Sequence, residues 1–118
     1  MRTRGQERAK FALDKVINIQ GEKKKDKFAK FSSGAPSMIL QNGFGQALAF
    51  WLSKKEDHHL TMFDIVKEWL CLNNLAQGQT KTDFISTISQ MDQTKYLTAQ
   101  KETLALLEWV KRYANAGL

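Results

Sequence analysis

Apolar residues along this chain recur at helical rather than strand spacing. Ala9, Ala12, Leu13, Val16 and Ile17 share one stripe, with Ile19 at its edge, and predict an amphipathic helix from about Thr3 to Gln20. Arg8, Phe11 and Lys15 project to the opposite side at spacings of three and four, which sets an aromatic ring between two cations. Two readings of that face stand. It is a stacking and phosphate-contacting patch, or Phe11 is covered by a neighbouring helix or subunit, which is the expectation adopted.

Gly21 to Lys27 is a charge run and reads as a polar connection, followed by a short helical stretch with Phe28 and Phe31. Ser32-Ser33-Gly34-Ala35-Pro36 then predicts a loop, with Pro36 near the first turn of the next helix. From Pro36 to Lys55, apolar residues from Met38 to Leu52 surround the projected helix on nearly all sides, the mark of a buried helix. Its one polar stripe holds Asn42, Gln46 and Ser53, read as structural groups that find partners where helices cross. Gly43 and Gly45 each cost about 1 kcal/mol inside a helix, which suits a close approach of another backbone.

Thr61 with Asp64 resembles a capping pair opening a core helix with Phe63, Val66, Trp69 and Leu70. Asn73 to Thr82 is a loop, and Phe84, Ile85, Ile88 and Met91 mark a short helix capped by Thr80 or Thr82. A long helix follows from about Asp92 to Ala116, with Lys101, Glu108 and Arg112 as its narrow exposed strip. Glu108 and Arg112 sit four residues apart and are expected to pair in solvent. No strand signal of convincing length is present. The expected architecture is all-α, a compact bundle of five or six helices forming a single domain over residues 1–118.

Composition narrows the class without naming a function. Apolar residues make up 42% and charged residues 25%, the profile of an ordinary globular protein. No apolar run nears the ~20 residues of a membrane span, and the start lacks the apolar region of a signal peptide. A cytoplasmic protein without membrane association is expected. The net charge of +6 is segregated: residues 1 to 30 hold ten lysines and arginines against four acids, and the rest of the chain eight against eight. A localised positive field attracts polyanions, nucleic acid foremost. Lysine-rich surface also simply keeps a small protein soluble, and charge alone does not separate these readings.

Candidate chemistry is sparse. Cys71 is alone, so neither an intrachain disulfide nor a cysteine-based zinc site can form. His58 and His59 are adjacent and project in different directions, with no third ligand counted nearby, so no metal is expected. Gly43-Phe44-Gly45 lacks the third glycine and the preceding strand of a phosphate loop. The acids are scattered and mostly accompany lysines, so no general acid and base converge. The expectation is a non-enzyme without cofactors; a nuclease built on His58 or His59 is the weak alternative.

Three segments carry a resemblance. They are Arg8 to Val16, then Pro36 to Lys54 with Gln41-Asn42-Gly43-Phe44-Gly45-Gln46-Ala47-Leu48-Ala49-Phe50, then Tyr96 to Ala116 with Glu102 to Ala114. Together they resemble the small, fifth subunit of the Cmr complex, the type III-B CRISPR RNA-guided effector, over almost the whole chain. The resemblance implies an all-α, non-catalytic subunit, several copies of which stack as an inner filament beside the backbone RAMP subunits and the large subunit. It further implies support of the duplex of CRISPR RNA and target RNA in antiviral defence. Under it, Arg8, Lys15, Lys101 and Arg112 become candidate RNA contacts, the run Lys23, Lys24, Lys25 and Lys27 a second path, and Phe11 a subunit contact. The sequence departs from the family pattern at Phe44, where leucine is usual, and at Leu97, where arginine is common. The competing expectation is a purely architectural helical module that meets acidic protein and never RNA.

Overall fold

The computed structural model describes all 118 residues as six helices and no strand, the all-α architecture expected. α1 spans Arg4–Ile17, α2 Glu22–Asn42, α3 Phe44–Lys54, α4 Asp57–Leu72, α5 Lys81–Gln90 and α6 Gln93–Asn115. None is long and apolar enough to cross a membrane.

Three helix starts follow directly from local chemistry. The Thr3 hydroxyl accepts from the Gln6 backbone N–H while the Gln6 side chain accepts from the Thr3 N–H, a reciprocal box that satisfies two otherwise unpaired donors. Thr80 caps α5 by accepting from the Asp83 N–H, and Asp92 caps α6 by accepting from the Lys95 N–H.

The long helix α6 is the axis of the bundle, and α1 and α2 make their most extensive contacts with it. Asn115 near its end donates to the Ala29 carbonyl and the Ser33 hydroxyl, while Tyr96 near its start reaches Gly45 just beyond α2. α2 therefore runs antiparallel to α6. Arg4 and Arg8 lie beside Glu102, so α1 starts against the middle of the same helix. Twenty-two buried residues form one hydrophobic core, with Trp51, Trp69, Phe28, Phe44, Phe63 and Phe84 as its largest members.

Two expectations about the first half are corrected. The lysine run is not a connection and the 32–36 stretch is not a loop: α2 continues from Glu22 through Pro36 to Asn42. Phe28, Ser32, Ala35 and Ile39 are buried at spacings of four, three and four, a face whose small members the hydropathy pattern under-reports. Packing of that face outweighs the cost of a proline that removes one backbone donor. The break comes instead at Gly43, whose φ of 92° and ψ of 153° end α2 and start α3.

That break explains the second correction. Met38 to Leu40 belong to one helix and Phe44 to Leu52 to another, so the apolar surround projected for a single helix is a superposition of two directions. α3 buries Phe44, Ala47, Leu48 and Trp51 and leaves Gln46, Ala49, Phe50 and Ser53 exposed. Asn42 and Gln46 are solvated rather than crossing groups. Gly45 is approached by a side chain, its N–H donating to the Tyr96 hydroxyl at 2.8 Å. α4 opens at Asp57, ahead of the Thr61–Asp64 pair, which lies within the helix.

Candidate nucleic-acid interface

Seven of the eight cations singled out in the sequence fall into three environments. Arg8 is withdrawn from solvent, its side chain 18% exposed, and holds Glu102 of α6 through Nε to Oε2 at 2.6 Å and Nη2 to Oε1 at 3.1 Å. The second environment is a cleft of about 870 Å³ between the end of α1, the start of α2 and α4, lined by Lys15, Lys23, Lys24 and Lys27. The third is the exposed strip of α6, where Lys101 and Arg112 lie eleven residues apart on one face, about 16 Å along the axis. Lys25 stands apart from all three and donates to the Leu118 carbonyl oxygen at 3.1 Å.

The cleft is not uniformly basic. Glu56, Asp57, Asp64 and Glu68 share its walls with the four lysines. Lys15 pairs with Glu68, and Lys24 approaches Asp57 at 3.6 Å. Lys23 and Lys27 are exposed and form no ion pair. On α6, Glu108 pairs with Lys111 at 2.9 Å rather than with Arg112. Arg112 and Lys101 are left exposed and without a carboxylate partner.

Phe11 does not sit on a solvent face. Its ring lies 4.9 Å from that of Trp69 on α4, with the Lys15 ammonium 5.3 Å from its centroid. The cover expected for this ring comes from within the chain, and the ring remains partly exposed beyond it.

Glu102 is the residue that sequence reasoning passed over. Its carboxylate, 10% exposed, accepts from Arg8, from the Arg4 guanidinium at 3.3 Å and from the Trp69 indole N–H at 3.0 Å. Burial alone would raise its pKa, but the hydrogen bonds from Arg8 and Trp69 and the charges of Arg8 and Arg4 outweigh it, so the pKa falls below the ordinary 4.5. This node ties α1, α4 and α6 together. No local pattern in the sequence announced it, because Arg8, Trp69 and Glu102 are brought together only by the fold.

The histidine pair also differs from its projection. The His58 and His59 rings lie 4.4 Å apart, and Glu56 Oε2 is 3.7 Å from His58 Nε2. His59 is 7% exposed, packed on Phe31 at 4.3 Å, and its Nδ1 is buried without a hydrogen-bond partner. Burial, followed by the neighbouring His58, lowers its pKa below 6.5 against an opposing pull from Glu56.

These features define a class: a small basic all-α bundle whose helices α1, α4 and α6 are tied by the Arg8–Glu102–Trp69 node and whose unpaired cations lie at its surface. The match to known proteins is more specific. Residues 4–117 fit the family described as CRISPR-associated protein (Cas_Cmr5), and the chain belongs to that family. A relative from Thermus thermophilus, the CRISPR system Cmr subunit Cmr5, is 29% identical over 98% of this chain and 96% of its own length. The protein of the same name from Thermotoga maritima is 30% identical over 95% of this chain and 82% of its own. The X-ray crystal structure of a CRISPR-associated Cmr5 family protein from Thermus thermophilus superposes with a TM-score of 0.81 at 28% identity, covering 98% of this chain and 97% of that one.

Proposed function

We propose that this chain is the non-catalytic small subunit of a type III-B CRISPR (Cmr) ribonucleoprotein effector acting in the cytoplasm. Copies of it stack as an inner filament beside the backbone and large subunits and support the duplex of CRISPR RNA and target RNA. Membership of the family over residues 4–117 supports the subunit role. The RNA role rests on one observation, the set of exposed cations without carboxylate partners: Lys101 and Arg112 on α6, Lys23 and Lys27 on α2. Such groups release counterions when a phosphate backbone replaces solvent, and paired ones gain less. Arg8 serves the fold in this reading, and Lys15 and Lys24 serve the cleft.

The architectural alternative has its own support in the cleft, where carboxylates match lysines in number and a phosphate backbone would meet repulsion as well as attraction. Co-expression of the tagged chain with the products of its neighbouring genes, followed by crosslinking of the target-bound particle, separates the readings. RNA adducts on α6 or the start of α2 are expected. A stoichiometric particle in which this chain carries no RNA adduct would leave only the architectural role, and recovery of the chain alone would remove both.

A further inference from the structure

The corner between α3 and α4 gathers a set of donors that the helices around it do not use. Lys55 turns the chain there with φ of 57°, and Glu56 caps α4 with no side-chain hydrogen bond of its own to the helix. One donor atom each from Glu56, His58 and His59 lies within 4.8 Å of the other two. Two imidazoles and a carboxylate form a donor set for a borderline divalent transition ion. We propose that Glu56, His58 and His59 chelate a single Zn²⁺-class ion that fastens the start of α4.

Geometry and surroundings both bear on this. Metal arms of about 2.0 to 2.1 Å place tetrahedral donors about 3.4 Å apart, and Glu56 Oε2 and His58 Nε2 already stand at 3.7 Å. Glu56 and His58 line the cleft of about 870 Å³, which gives an ion a path inward, and His59 is buried beside His58. His59 is otherwise an anomaly: a buried imidazole with an unpartnered Nδ1 in a shell of Phe31, Phe50 and His58 rings. Lys54 opposes a cation here, but its ammonium lies over the Phe50 ring at 5.6 Å. Lys24 is partnered by Asp57.

The test uses the full chain stripped with chelator. Co²⁺ serves as the spectroscopic probe, Zn²⁺ as the calorimetric one and Mg²⁺ as the hard-ion control. One equivalent of Co²⁺ or Zn²⁺ per chain is expected, with a melting temperature that rises with ion concentration, displacement of the His59 ring resonances, and no response to Mg²⁺. Glu56→Gln and His58→Asn, both at solvent-reachable positions, should each weaken binding by about tenfold or more while leaving the circular dichroism unchanged. Absence of saturable binding, wild-type affinity in both variants, or unmoved His59 resonances would each overturn the assignment. Loss confined to His58→Asn would do the same, since it removes Glu56 from the site.

Discussion

The Arg8 guanidinium and the Glu102 carboxylate, 94 residues apart in sequence, meet through two hydrogen bonds of 2.6 and 3.1 Å, and the Trp69 indole N–H closes on the same carboxylate at 3.0 Å. A bidentate arginine fixes orientation as well as attraction. α1 has few fully buried apolar residues of its own, Ala12 and Val16, so much of its register on α6 is set by this polar node.

Replacing Glu102 with alanine strands the Trp69 donor and an arginine that is largely removed from water. The expected cost is about 2 to 3 kcal/mol, which for a chain of this size lowers the melting temperature by roughly 8 to 12 °C. Arg8→Ala should cost less, because Arg4 still reaches the carboxylate. Thermal melts of both variants check this order. If Arg8→Ala were silent in stability and yet weakened RNA retention, Arg8 would belong to the interface after all.

Acid should dissolve the same node. The folded-state pKa of Glu102 lies below the ordinary 4.5, so the node's stabilisation is fully present above that value and is lost as pH falls through the depressed folded pKa. Stability measured by urea titration at successive pH values should decline on this acid limb. In Glu102→Gln, stability at neutral pH is lower and the decline shallower. Parallel curves for the two proteins would show that other carboxylates carry the acid transition.

The node also marks where sequence reasoning stops. Helical periodicity placed Arg8, Phe11 and Lys15 on one face correctly, but that face meets Glu102, Trp69 and Glu68 rather than water. A projection knows the angle of a side chain and nothing of what the fold brings opposite to it. The helix starts near Thr3 and Asp92 and the cap at Thr80 were legible because they depend on neighbours within one turn. The break at Gly43 was not, since Pro36 is the stronger local signal and only the buried face from Phe28 to Ile39 overrides it. Lys101 and Arg112 were legible as exposed for the opposite reason, that nothing distant covers them.

Tyr96 anchors the second junction. Its hydroxyl accepts the Gly45 N–H at 2.8 Å, one of the donors that the first turn of α3 leaves without a helical partner. Tyr96→Phe keeps the ring beside Phe44, 5.8 Å between centroids, and removes only the acceptor. A loss of about 1 kcal/mol or somewhat more is expected in urea unfolding, with an unchanged m value. An unchanged midpoint would mean that water replaces the hydroxyl without penalty.

The surface cations give the sharpest separation between an RNA-supporting subunit and a scaffold. Lys101→Ala with Arg112→Ala removes two charges that no acid shares, so stability should stay within about 0.5 kcal/mol of wild type. In the assembled, target-bound particle, removing a cation that neutralises one phosphate should reduce the slope of log affinity against log salt by about 0.7 to 0.9. Lys23→Ala with Lys27→Ala tests the second path by the same measure. A fall in slope for the α6 pair alone would route the RNA along α6, and falls for both would extend the path to the start of α2. If both doubles assemble normally and keep the wild-type slope, the positive surface meets protein, and the acid-lined cleft beside Lys15 and Lys24 becomes the surface to map next.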